Sequence, residues 1–194
     1  MKQSPKLPPE KRRAQLIKAA GKVFTKKGYA GATTEEIARA AGLTKGALYF
    51  HFGSKEDVFY AVVRDISLVH ARAVGEILAA EKNPEAAIKK ILHTSFDHFK
   101  KRKYFTAEFW QQAHKIPRVR NFLALEHRHF QADVVDYLQT HTSLSRKKSE
   151  SLILMLRAVF DGLIIRRSCY SNKMDANRVI DLAVEMAGDY IKDH

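Results

Sequence analysis

Cysteine is almost absent from this sequence, with Cys169 the single one among 194 residues. That excludes an intramolecular disulfide framework and suits a reducing compartment. Cys169 follows Arg166 and Arg167, cations that lower a thiol pKa, but a free cysteine is more often simply packed in a helix. Proline and glycine are also scarce, five and nine residues, too few for the frequent turns of an all-β fold. No apolar run approaches the ~18 residues of a membrane span. The start, MKQSPKLPPEKRRAQ, lacks the apolar core of a secretory signal. The expectation is a cytoplasmic protein with no membrane partner. A phosphate-cradling glycine loop, a nucleophile elbow and a conspicuous carboxylate pair are missing too, so no enzyme and no cofactor are expected.

Acidic residues are outnumbered, 21 against 34 Lys and Arg, giving a net charge of +13 and a pI of about 9.8. An excess of this size points to a polyanionic partner. It is concentrated. Residues 1–60 carry 12 basic against 5 acidic side chains, a net +7, while the other 134 residues carry only +6. A polyanionic partner is a nucleic acid or an anionic membrane surface, and if it is a nucleic acid the first third of the chain is expected to carry the binding. Hydrophobic residues make up 45%, sufficient for a packed core.

What is present is helical periodicity. Residues 1–9 hold three of the prolines and read as a flexible arm. A helix begins near Glu10, with Leu16, Ile17, Ala20, Val23 and Phe24 at helical spacing, and Gly28 is its expected stop. Three start signals then crowd together. Thr33 with Glu36 is a capping box, Thr44 after the turn at Gly42 is an N-cap, and Ser54 with Asp57 opens a long helix towards Ala80. Two short helices joined at a glycine, preceded by a longer one and set in basic sequence, make a helix-turn-helix spanning 10–53. The remainder, 54–194, is helical throughout, with 54–80 as a connecting helix and about nine helices in all. From Leu152 to Ile165 the chain is apolar on nearly every face, and a last helix starts near Asp175. A helix of that kind is buried all round. The last two helices are thus expected to pair with a second copy in a four-helix interface, where Gly162 would allow close approach.

The second short helix has a compact, basic start in Thr44, Lys45 and Gly46. In a major groove Lys45 can donate to guanine acceptors, while Gly46 lets the backbone come close. Leu48, Phe50 and Phe52 are the expected apolar anchors, leaving Tyr49 and His51 to face phosphates. Lys55 lies at the next helix start, where backbone amides favour an anion.

The run TTEEIARAAGLTKGALYFHFGSKEDVF, residues 33–59, resembles the tetracycline-repressor (TetR) family of bacterial regulators, and the match extends over about residues 10–65. The resemblance implies base or near-base contacts from Thr44, Lys45, Gly46 and Tyr49. It implies phosphate contacts from Thr33 or Thr34, Tyr49, His51 and Lys55, with Phe50 structural. It further implies a homodimer on double-stranded palindromic operator DNA, with half-sites about 34 Å apart or somewhat more. The part from about residue 66 onward would bind a small-molecule effector and release the DNA, with the connecting helix as lever. A non-specific architectural DNA-binding protein is the alternative function, disfavoured by the long apolar C-terminal part.

An effector pocket would draw on Phe96, Phe99, Phe105, Phe109, Trp110, Phe130, Met155 and Phe160, although aromatics at helical spacing are more often plain core. Nine histidines raise the question of metal. His127 and His129 fall on different faces of a helix, without a cysteine cluster, and no metal site is expected. The basic string Lys100-Lys101-Arg102-Lys103 reads as a solvated turn, as does Arg146-Lys147-Lys148.

Overall fold

The computed structural model describes residues 8–101, 107–169 and 175–193; the side chains of 101, 107–110, 168 and 169 lie outside that description. Every element within it is a helix. In chain order these are α1 (Pro9–Gly31), α2 (Thr34–Ala40), α3 (Lys45–His51), α4 (Lys55–Ala80), α5 (Pro84–Lys101), α6 (Ala107–Lys115), α7 (Pro117–His141), α8 (Arg146–Cys169) and α9 (Ala176–Lys192). No described helix is long and apolar enough to cross a membrane.

The starts follow from local chemistry. Thr33 accepts from the backbone N–H of Glu36 at 3.2 Å while the Glu36 carboxylate accepts from the N–H of Thr33, which closes the capping box. The Thr44 hydroxyl accepts from the Ala47 N–H at 3.2 Å. Ser54 accepts from the Asp57 N–H at 3.1 Å and donates back to its carboxylate at 2.9 Å. Asn83 caps α5 through the Ala86 N–H, and Asp175 caps α9 through the Arg178 N–H. Gly42, at φ 66° in the turn between α2 and α3, adopts a left-handed conformation that a Cβ would strain. Gly28 has φ 69° as well: its non-helical backbone breaks α1 where a stop is expected, and a short helical turn follows to Gly31. Pro117 is the first residue of α7, where its missing N–H leaves no helical hydrogen bond unmade.

The chain packs as two units. One holds residues 8–66 with 107–120, the other 67–101 with 121–169 and 175–193. The first unit reaches past the boundary expected at residue 53 because the opening turns of α4 belong to its core. Val58 and Phe59 are fully buried there, with Ala61, Val62 and Val63 nearly so. The Phe59 ring meets Phe24 edge-on at 5.3 Å and Tyr29 at 5.0 Å. Arg118 joins this unit by an ion pair to Asp57 at 2.8 Å and by lying 4.0 Å over the Tyr60 ring. The second unit is built on α5 packed against α8 and α9. Its core includes Ile88, Leu92, Phe96, Leu138, Leu156, Phe160, Ile180 and Val184. Helix α8 is less uniformly buried than its composition suggests, since Arg157 and Asp161 pair on its surface at 2.9 Å and Leu154 is 69% exposed.

Candidate nucleic-acid interface

Helix α3 divides cleanly. Leu48 within it and Phe52, the extended residue that caps its C-terminus, are both buried. Thr44, Lys45, Gly46, Tyr49 and Phe50 are exposed. Phe50 is therefore not the apolar anchor expected of it. It lies two residues, about 200°, round from Leu48, and it is 80% exposed. His51 is half-buried, with its ring edge-on to Phe50 at 5.1 Å.

A polar network crosses from α2 to α3. The Tyr49 hydroxyl lies 3.3 Å from the Thr34 hydroxyl, which also donates to the Glu35 carboxylate at 3.2 Å. The other Glu35 oxygen pairs with the Lys45 ammonium, and that ammonium sits 5.8 Å from the Tyr49 ring centroid. The hydrogen bond from Lys45 holds the Glu35 carboxyl below the usual carboxylate range, and the same bond raises the Lys45 ammonium. Glu35 is a member of the site for which the sequence offers no local signal, since it stands ten residues and one turn before its partner.

Two expected phosphate ligands need revision. Thr34 is buried, with its hydroxyl engaged by Tyr49, so Thr33 is the member of that pair at the surface. The Thr33 oxygen accepts from Glu36, leaving its O–H free to donate. Lys55 is not a free cation. Its ammonium donates to the carbonyls of Tyr29 at 2.9 Å and Ala32 at 3.1 Å and lies 4.5 Å over the Tyr29 ring. Of its three N–H groups one remains for a phosphate. Lys55 thus clasps the end of α1, whose carbonyls would otherwise lack donors. Gln15 does similar work at the turn, donating to the Ala41 carbonyl at 2.6 Å.

In the second unit the structure gathers five of the eight expected pocket residues. Phe96 and Phe160 are buried in the core, with Phe99, Phe130 and Met155 half-buried against it. Phe105, and the side chains of Phe109 and Trp110, lie outside the described residues. Polar groups sit among these aromatics. His70 lies 2.7 Å from the Ser95 hydroxyl, stacks on Phe130 at 6.1 Å and meets His98 at 5.6 Å; Phe99 packs on Phe160 at 5.4 Å. Burial lowers the His70 pKa to about 4, with the charge of Arg157 and the nearby His127 adding to the effect. His70 is thus held neutral at physiological pH. A lone histidine within a long helix gives no sequence pattern to find it by.

Comparison with known proteins bears on both units. Residues 16–62 match the family described as bacterial regulatory proteins, tetR family. The repressor AcnR of Corynebacterium diphtheriae is 26% identical over 180 residues, covering 90% of each chain. The transcriptional regulator BetI of Rhizobium meliloti is 28% identical over 187 residues, covering 94% of this chain and 89% of its own. Among solved structures, a transcriptional regulator from Rhodococcus sp. RHA1 superposes with a TM-score of 0.77 at 18% identity, over 91% of this chain and 96% of its own. A TetR-like regulator, also from Rhodococcus sp. RHA1, gives 0.72 at 20% identity, over 97% of this chain and all of its own.

Proposed function

As a member of the TetR family of bacterial regulatory proteins, this chain is a DNA-binding transcriptional regulator, and we propose that it is a homodimeric repressor released from a palindromic operator by a small molecule. The observation that carries the reading is the outward face of α3. Thr44, Lys45, Gly46 and Tyr49 stand exposed together at the start of a short capped helix in the basic third of the chain. In this reading Lys45, Gly46 and Tyr49 meet base edges, and Thr33, His51 and the remaining N–H of Lys55 hold phosphates. Repression is supported by the relative AcnR, which is named a repressor.

Dimerisation is supported by the surfaces of α8 and α9. Leu154 and Ile165 on α8, and Leu182 and Met186 on α9, are large apolar side chains left exposed in the single chain. Gly162 faces open space, so packing within the chain does not require a glycine there. A second copy would cover these groups and use the gap. Effector binding is proposed among Phe96, Phe99, Phe130, Met155 and Phe160, with His70, Ser95 and His98 as the polar groups that orient a ligand in an otherwise apolar site.

Selection from a random duplex library at two salt concentrations tests the proposal, with Lys45→Ala and Tyr49→Ala as controls. Enrichment of one palindrome, lost in both variants, is the expected result. Binding that is indifferent to sequence and retained by the variants would instead identify a non-specific architectural protein.

A further inference from the structure

We propose that Phe50 is a sequence-reading residue, and that what it reads is the 5-methyl group of a thymine in the major groove. This rests on the reading of α3 as the helix that enters the groove. Among the described side chains of the first unit, only Tyr49 and Phe50 are large apolar groups left exposed, and Phe50 at 80% is the more exposed. A phenyl ring has no donor or acceptor. It can discriminate only an apolar feature, and the thymine methyl is the apolar feature that base pairs present in the major groove.

The surroundings narrow the role further. The polar groups beside Phe50 have partners within the protein, Lys45 with Glu35 and the Tyr49 hydroxyl with Thr34. Gly46 precedes Phe50 by four residues, one turn earlier on the same face. Helical side chains lean towards the N-terminus, so residue 50 and position 46 share one face of α3. A Cβ at Gly46 would meet only the Thr44 hydroxyl, at 3.9 Å. The glycine therefore serves no packing need inside the chain and leaves the helix surface one turn before Phe50 open to a close approach by a base. The His51 ring, edge-on at 5.1 Å, limits where the phenyl can swing.

The test measures affinity for the palindrome enriched from the random library, made with uracil in place of thymine at each position in turn and at its symmetry mate. Uracil pairs as thymine does and lacks only the methyl. For the wild type, replacement at one symmetric position is expected to weaken binding by about fourfold per half-site, and so by about fifteenfold for the pair, as loss of one buried methyl implies. Phe50→Ala should bind the thymine duplex more weakly by at least that factor. It should be indifferent to uracil at that position and remain sensitive to base-pair changes elsewhere. An unchanged melting temperature confirms that the variant is folded. Wild-type affinity that ignores uracil everywhere, or a Phe50→Ala variant that keeps the full penalty, overturns the assignment while leaving operator recognition standing. Failure to enrich any sequence overturns both.

Discussion

Lys45, the first residue of α3, is held by the carboxylate of Glu35 on α2. In the proposed reading the cation that meets a guanine is thus already paired in the free protein, and binding DNA would exchange a carboxylate for the neutral acceptors of a base edge. Both side chains are about half exposed, so the pair adds little to stability and its effect falls on binding.

Glu35→Gln removes a negative charge from the reading face and releases Lys45. It is expected to raise affinity for any duplex, by roughly threefold or more, and to lower discrimination between the operator and random DNA. Titration of both duplexes at low and high salt measures this. Unchanged non-specific affinity would mean that the pair exerts no restraint.

Lys55→Met keeps the aliphatic stem but leaves the carbonyls of Tyr29 and Ala32 without their donor. A loss of about 1–2 kcal/mol is expected, allowing for partial exposure of the site. Thermal denaturation should show a lower midpoint even without DNA. A midpoint equal to that of the wild type would make Lys55 a phosphate ligand only.

His70 gives the protein a defined acid sensitivity. Its pKa falls from 6.5 to about 4 on folding, so between these values the unfolded chain binds a proton that the folded chain refuses. Stability from this group is complete above about pH 6.5 and declines as the pH falls towards 4, by up to about 3 kcal/mol. Urea denaturation of the wild type and of His70→Gln at pH 7.5 and 4.5 isolates the effect. The variant should show the smaller decrease, and equal decreases would contradict a neutral buried His70.

Leu182→Glu combined with Met186→Glu places two charges on the exposed apolar face of α9. Both positions are outside the core of the single chain, so helical content should persist. Light scattering is expected to report a monomer, and operator affinity to fall with it. A dimer of undiminished mass would place the subunit interface elsewhere.

The helix starts in the first unit are legible in the sequence because each depends on a hydroxyl three residues from its partner: Thr33 and Glu36, Thr44 and Ala47, Ser54 and Asp57. Such pairs are local and need no tertiary contact to close. Phe50 is harder to place. In the run Leu-Tyr-Phe-His-Phe every other residue is apolar, as in a strand, and the helical phase, about 200° over two residues, separates the buried Leu48 from Phe50. Glu35, Gln15 and His70 have partners 10, 26 and 25 residues away. No short-range pattern encodes those distances, so their roles emerge only once the helices are packed.

The division of labour within α3 has a consequence for how such regulators diversify. Leu48 and Phe52 tie the helix to its scaffold, whereas Lys45, Gly46, Tyr49 and Phe50 face outward and contribute little to the core. In the proposed reading of α3, a gene duplicate could exchange those four positions, with Thr34 and Glu35 adjusted to match, and acquire a new genomic address while inheriting the same framework.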